Sequence, residues 1–221
     1  METQIFRIVF EDSELLIIEK KRPFLSQRAD RSEKEGLDEF IARQLKKKIY
    51  PVHRLDREVL GLMVFGKTPQ AADELTRQFR ERLIQKVYWA RVQGHPREEK
   101  QTLIHYLQKN PKTNRVTVFP RETPGAKRAE LTYAVLERAP DADQLLVKLK
   151  TGRTHQIRVQ LAKIGHPIVG DTRYSKKSEN AVDSEQIQLR SVYLALQHPT
   201  SGETLEWALD QGQRAKNFFD F

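Results

Sequence analysis

The residues whose types and spacing could do chemistry gather in residues 51–61, PVHRLDREVLG, where one short acid, Asp56, stands among His53, Arg54 and Arg57. The apolar runs 49–52 and 62–65 on either side read as buried strands. That puts Asp56 on a tight connection between rigid elements, where catalytic groups are commonly held. A carboxylate in partly apolar surroundings tends to gain a proton, and a nearby guanidinium reverses that tendency. Asp56 therefore reads as a permanently charged carboxylate poised as nucleophile or base. The same residues also fit an aspartate that caps a turn and forms an ordinary ion pair. From this stretch alone both readings stand.

Composition narrows the chemistry around that acid. The chain has 221 residues with 38% hydrophobic content, enough for one sizeable core, and it shows no repeats or low-complexity linkers. A single domain over residues 1–221 is the simplest organisation. Lys plus Arg number 39 against 30 acids, a net charge of +9 that suits a polyanionic partner, nucleic acid first, although it also serves solubility. There is no cysteine, which excludes disulfides and thiolate metal sites. The six histidines are scattered without ligand spacing, and neither a GxxxxGK nor a GxGxxG loop occurs, so no metal and no nucleotide cofactor are expected. The first residues lack the pattern of a secretory leader, and no run is long enough to cross a bilayer, which fits a soluble, cytoplasmic protein.

The elements that must position Asp56 follow from periodicity. Residues 6–10 and 15–19 form a hairpin-like opening, and residues 37–45 place Leu37, Phe40, Ile41 and Leu45 at helical spacing. After the Asp56 loop comes a strand at 62–67. A helix follows, entered by Thr68-Pro69 and running to about residue 82. Residues 84–92 alternate as a strand with Tyr88, Ala90 and Val92 on one side. Strand-like runs at 115–119, 129–136 and 145–149 precede a turn at 151–154 and a short helix at 155–164. Residues 168–171 read as a strand-to-turn, residues 174–188 as a mobile surface loop, and 192–196 with 204–207 as a closing hairpin. The tail, 211–221, is amphipathic and should dock through Phe218, Phe219 and Phe221. Strands outnumber helices in both hairpin and crossover arrangements, which predicts an α+β fold with a mixed, largely antiparallel sheet and flanking helices.

Three stretches in order, HRLD at 53–56, KVYWARVQG at 86–94 and TGRTHQIRVQLAKIGHPIVGD at 151–171, resemble the RluA-type pseudouridine synthases, which isomerise uridine in ribosomal or transfer RNA. The resemblance implies a mixed sheet crossed by a central catalytic cleft. It assigns Asp56 as the catalytic aspartate, Tyr88 as the tyrosine under the target base, and Arg153 as the arginine paired with the aspartate, with Arg158 one turn later left open for that role. Arg54 matches a position that fills the space of the flipped base, and His53, Arg57 and Arg158 join it as expected RNA contacts. The implied partner is rRNA or tRNA, handled by a monomer with no cofactor or metal. Residues 59–60 are Val-Leu where relatives carry a hydroxyl pair, the lysine-proline pair near the N-terminus is split by Arg22, and Gln160 replaces a common histidine. The first strand begins near Ile5, which leaves no expected room for an N-terminal RNA-binding module. Two other readings compete. One is a noncatalytic RNA chaperone on the same fold, hinted at by Val59-Leu60. The other is a base-excising hydrolase, which would want a second acid and finds only Glu58 in this loop.

Overall fold

The apolar runs become strands in a computed structural model that describes residues 4–28, 34–175 and 184–220. In chain order the elements are β1 (Phe6–Glu11), β2 (Leu15–Lys20), α1 (Leu37–Leu45), β3 (Tyr50–Pro51), β4 (Leu60–Gly66), α2 (Pro69–Glu81), β5 (Gln85–Gln93), β6 (Lys100–Lys109) and β7 (Val116–Phe119). They continue as β8 (Lys127–Glu137), β9 (Ala142–Leu149), α3 (Gln156–Lys163), β10 (Leu189–Gln197), β11 (Thr204–Ala208) and a 3-10 helix (Asp210–Asn217). The class is α+β, with mixed and mostly antiparallel pairing. The chain divides into two compact units, Met1–Lys86 with Arg190–Asp210, and Val87–Leu189 with Gln211–Phe221.

In the first unit the strands run β1-β2-β4-β10, with β3 on β4 and β11 on β10. Only the β4–β10 contact is parallel; the others are antiparallel. β2 and β4 are buried along almost their whole length, as expected of sequences such as LLIIEK and LGLMVFG that alternate little. Leu15, Ile17, Leu62, Val64, Leu194 and Leu196 form a core against Leu75 of α2. The entry to α2 is as the sequence predicts: Thr68 Oγ1 accepts from the Ala71 N–H and Pro69 fills the first turn. Gly61, at the foot of β4, has φ of +104°, and a Cβ there would lie 2.0 Å from the carbonyl oxygen of Ser191 on β10. A glycine is required there by both conformation and space, and it fixes where the Asp56 loop re-enters the sheet.

The second unit is an antiparallel sheet in the order β5-β9-β8-β6-β7. α3 covers it, with Val159 packed on Leu107, Val116 and Ala129. Gln160 takes part as well. It is fully buried, and its Nε2 donates to the carbonyl of Leu103 and contacts His105 Nδ1. β6 is the strand that sequence periodicity does not announce: KQTLIHYLQK mixes polar and apolar residues on both faces, and its burial is correspondingly weak. Pairing with β8 over eight residues makes it a strand. Ile168 forms an isolated bridge with Val92, as a strand-to-turn would. Most of the expected loop at 174–188, residues 176–183, lies outside the described residues, as does Phe221 of the tail; Phe219 is buried beneath the Lys100 ammonium.

Candidate active site

The Asp56 loop is held from beneath by a lysine. Lys20 ends β2, is fully buried, and donates its three N–H bonds to main-chain carbonyls: Phe24 at 2.9 Å, Asp56 at 3.0 Å and Arg57 at 2.9 Å. Three donors meet three acceptors, so the ammonium is satisfied without an acid in direct contact. Burial pushes its pKa down to about 8; the carboxylates of Asp56 and Glu58 pull it back up, and the Arg57 guanidinium lowers it. Ser26 adds a second clamp, its hydroxyl donating to the Leu55 carbonyl at 2.7 Å and accepting from the Leu55 N–H. The Phe24 N–H reaches the Arg57 carbonyl, and the Val59 N–H closes a turn on the Asp56 carbonyl. The main chain on both sides of Asp56 is thereby fixed, and the residue itself stays half-exposed. Val59, the departure from the hydroxyl pair, is buried at 3% exposure and serves the core.

The side chains around Asp56 divide into two kinds. Arg54, Arg57 and Glu58 are exposed. His53 instead points into the fold. β3 stops at Pro51, and beyond it the His53 Nε2 accepts the N–H of Val64 on β4 at 3.0 Å, standing in for a missing strand. Its ring stacks on Phe79 of α2, with centroids 4.8 Å apart, and the Lys86 ammonium lies over the same Phe79 ring, 5.0 Å from its centroid. Nε2 can accept only in the neutral tautomer, and burial, followed by the charge of Lys86, lowers the His53 pKa to about 3. These bonds build His53 into the fold, while Arg54, Arg57 and Glu58 present their side chains to solvent.

The tautomer has a consequence for acid stability. The unfolded chain binds a proton at His53 below about pH 6.5, whereas the folded chain resists until about pH 3. The unfolded state therefore holds more protons in that window, and stability falls as pH drops through it. At pH 5 the ceiling is about 2 kcal/mol, less where the partly exposed ring edge admits water. Urea unfolding of the wild type should weaken between pH 6.5 and 5. In His53→Gln, whose amide oxygen can still accept from Val64 but cannot titrate, that slope should flatten.

In the second unit Tyr88 lies on β5 opposite Val147 of β9, 7% exposed, on the side it shares with Ala90 and Val92. The turn carrying Arg153 is knit by Gln156. The Gln156 Oε1 accepts from the Thr151 hydroxyl at 2.8 Å and from the Arg153 N–H at 3.0 Å, while its Nε2 donates to the Glu130 carbonyl. The Arg153 side chain is exposed, with Nε on the Arg128 carbonyl at 3.2 Å. Arg158 is buried. Asp171 grips its Nε at 2.7 Å and its Nη2 at 2.8 Å, in a bidentate pair. Asp171 is itself anchored by the N–H groups of Arg173 and Tyr174, and the Arg158 guanidinium lies over the Tyr174 ring. Of the two arginines considered from sequence, Arg158 is the one whose plane is fixed.

Lys20, the anchor of the Asp56 loop, is the residue that sequence reasoning passes over. The signal was present: Glu19 and Lys20 end a strand that is otherwise wholly apolar, and a charged pair in that position has to be satisfied from within the fold. Glu19 is met by Arg7, Lys21 and Arg190, and Lys20 by the Asp56 loop.

Residues 14–163 match the RNA pseudouridylate synthase family, and the chain belongs to that family. It is similar to an uncharacterized RNA pseudouridine synthase of Synechocystis, at 36% identity over 70% of this chain and 47% of the relative. It is also similar to the ribosomal large subunit pseudouridine synthase C of Vibrio cholerae, at 32% identity over 90% of this chain and 64% of the relative. The chain thus spans about half to two thirds of the length of these curated relatives. Among solved structures it resembles human RNA pseudouridylate synthase domain containing 1, with a TM-score of 0.76 and 26% identity over 92% of this chain and 82% of that one.

Proposed function

We propose that this protein isomerises uridine to pseudouridine in RNA, with Asp56 as the carboxylate that attacks the ribose or takes a ribose proton. The bond from C1′ to N1 of uracil breaks, the base turns, and a bond from C1′ to C5 forms. The proton lost from C5 is balanced by one gained at N1, so the step is redox-neutral and draws on no external energy. Tyr88, with a reference pKa of about 10, is a poor base at neutrality; its role in this reading is to pack under the base. The target base must leave its stack, which costs a few kcal/mol, and Arg54, exposed beside Asp56, is the side chain assigned to fill the gap. Family membership supports the reaction. The observation that carries the assignment of Asp56 is that Lys20 and Ser26 immobilise the main chain at residues 55–57 while leaving that residue half-exposed. The test is chemical mapping of pseudouridine in unmodified ribosomal RNA, then in tRNA, before and after incubation with the pure protein.

Of the two arginines, we propose that Arg158 rather than Arg153 is the one the reaction needs. A planar fork fixed by Asp171 is preorganised, and an exposed arginine resting on one carbonyl is not. Arg153→Ala is expected to keep the single-turnover rate within about tenfold, whereas Arg158→Lys, which keeps charge and loses the fork, should lose about a hundredfold or more. Equal losses in the two variants would reverse the assignment.

A further inference from the structure

Away from Asp56, the second unit carries a sheet face whose composition fits single-stranded nucleic acid. Between Lys109 and Arg128 the sequence holds six basic residues and one acid, Glu122. All six are exposed. Arg128 pairs with Glu130, but none of Lys109, Lys112, Arg115, Arg121 and Lys127 forms an ion pair among the described residues. A group of cations left uncompensated at one end of a sheet is a phosphate-attracting surface.

The register of β6, β7 and β8 adds a second feature. Tyr106 lies opposite Phe119 of β7 on one side and Arg128 of β8 on the other, so these three form one row across the sheet. Two residues back, Ile104 lies opposite Glu130 and is 45% exposed. Because side chains alternate, this face is opposite to the one bearing Leu103, Leu107, Val116 and Ala129, which are buried. Tyr106 and Phe119 are both partly exposed. Aromatic rings on an exposed strand row, bordered by cations, are the arrangement on which unstacked bases lie while phosphates meet the rim.

The platform is rigid and joined to the helix that carries Arg158. Asn110 Oδ1 accepts from the N–H groups of Lys112 and Thr113, closing the β6–β7 turn, and the Val116 N–H donates to the Tyr174 hydroxyl. Val159 and Gln160 of α3 pack on its inner face, and Arg153 Nε meets the Arg128 carbonyl. We propose that the outer face of β6–β8, with Tyr106 and Phe119 as stacking platform and Lys112, Arg115 and Arg121 of the adjoining turns as rim, binds an unpaired segment of the substrate RNA. The proposal rests on the isomerase reading for its biological setting but not for its test.

The probe is a fluorescent single-stranded oligouridylate of twelve nucleotides, with a duplex of equal length as control. Tyr106→Ala/Phe119→Ala is expected to weaken binding of the single strand by about tenfold or more and to leave duplex binding unchanged. Lys112→Ala/Arg115→Ala/Arg121→Ala, on turn positions with no buried packing, should reduce the slope of log affinity against log salt by about 2. With modified-site RNA at saturation both variants should keep the wild-type turnover number and show a raised KM. Binding within twofold of wild type for both variants overturns the proposal, as does a shift from dimer to monomer in sedimentation with RNA affinity intact, which would make the face a contact between two copies. If wild type converts no RNA but binds the oligonucleotide through these residues, the isomerase reading fails and the platform stands.

Discussion

Asp56→Ala protein should bind RNA within about threefold of wild type and convert uridine at less than about one-thousandth of the wild-type rate, because removing an essential nucleophile typically costs that much or more. The separation of binding from turnover follows from how the loop is built. The turn at Asp56 closes on its main-chain oxygen, which accepts from the Val59 N–H and from the Lys20 ammonium. Neither bond needs the carboxylate. Replacing the side chain therefore leaves the loop's main-chain clamps in place, and Arg54 and Arg57 remain exposed for phosphate contacts. Asp56→Asn sharpens the test, since the amide preserves shape and removes the charge. Rapid-quench conversion assays and a binding titration on one RNA preparation read both quantities. Full conversion by Asp56→Asn would remove the aspartate from the reaction, and release of free uracil by wild type would replace isomerisation with hydrolysis.

Much of the first unit could be read from residue types. Thr68-Pro69 starts α2 where a hydroxyl cap and an N-terminal proline predict it, and the strands from Leu15 and Leu60 are buried as continuous apolar runs imply. β6 could not be read, because KQTLIHYLQK lacks a clean period and becomes a strand through its partner β8. Two side chains of the site also took roles their types do not announce. A histidine beside an aspartate reads as chemistry, yet His53 completes a strand's hydrogen bonding, a role set by where β3 happens to stop. An arginine in a helix reads as surface, yet Arg158 is buried because Asp171, thirteen residues on, returns to meet it. Both depend on contacts distant in sequence. The same is true of Lys20, two of whose three acceptors lie thirty-six and thirty-seven residues downstream.

Lys20 should be the most costly single substitution outside the reacting groups. Lys20→Met fills similar volume but leaves the carbonyls of Phe24, Asp56 and Arg57 with one fewer donor each in a buried setting. The Asp56 and Arg57 carbonyls keep the N–H groups of Val59 and Phe24, so the Phe24 carbonyl is the one left unmet. An unmet buried carbonyl costs about 1–3 kcal/mol, and a loss of about that size is expected if the loop stays in place, or a smaller loss if it relaxes outward. Relaxation would displace Asp56, and a misplacement near 1 Å costs on the order of a hundredfold in rate. Stability and rate thus trade against each other in this variant, and at least one must fall sharply. The pH dependence of wild type separates them further. The folded pKa near 8 lies below the unfolded value of 10.5, so above pH 8 the unfolded chain holds more protons and this group's contribution to stability rises. The neutral amine, however, retains two donors for three carbonyls. Turnover should therefore decline through about pH 8 while resistance to urea does not, measured on one sample by single-turnover conversion and equilibrium unfolding; a parallel decline in both would show that the ammonium holds the whole unit rather than the loop that carries Asp56.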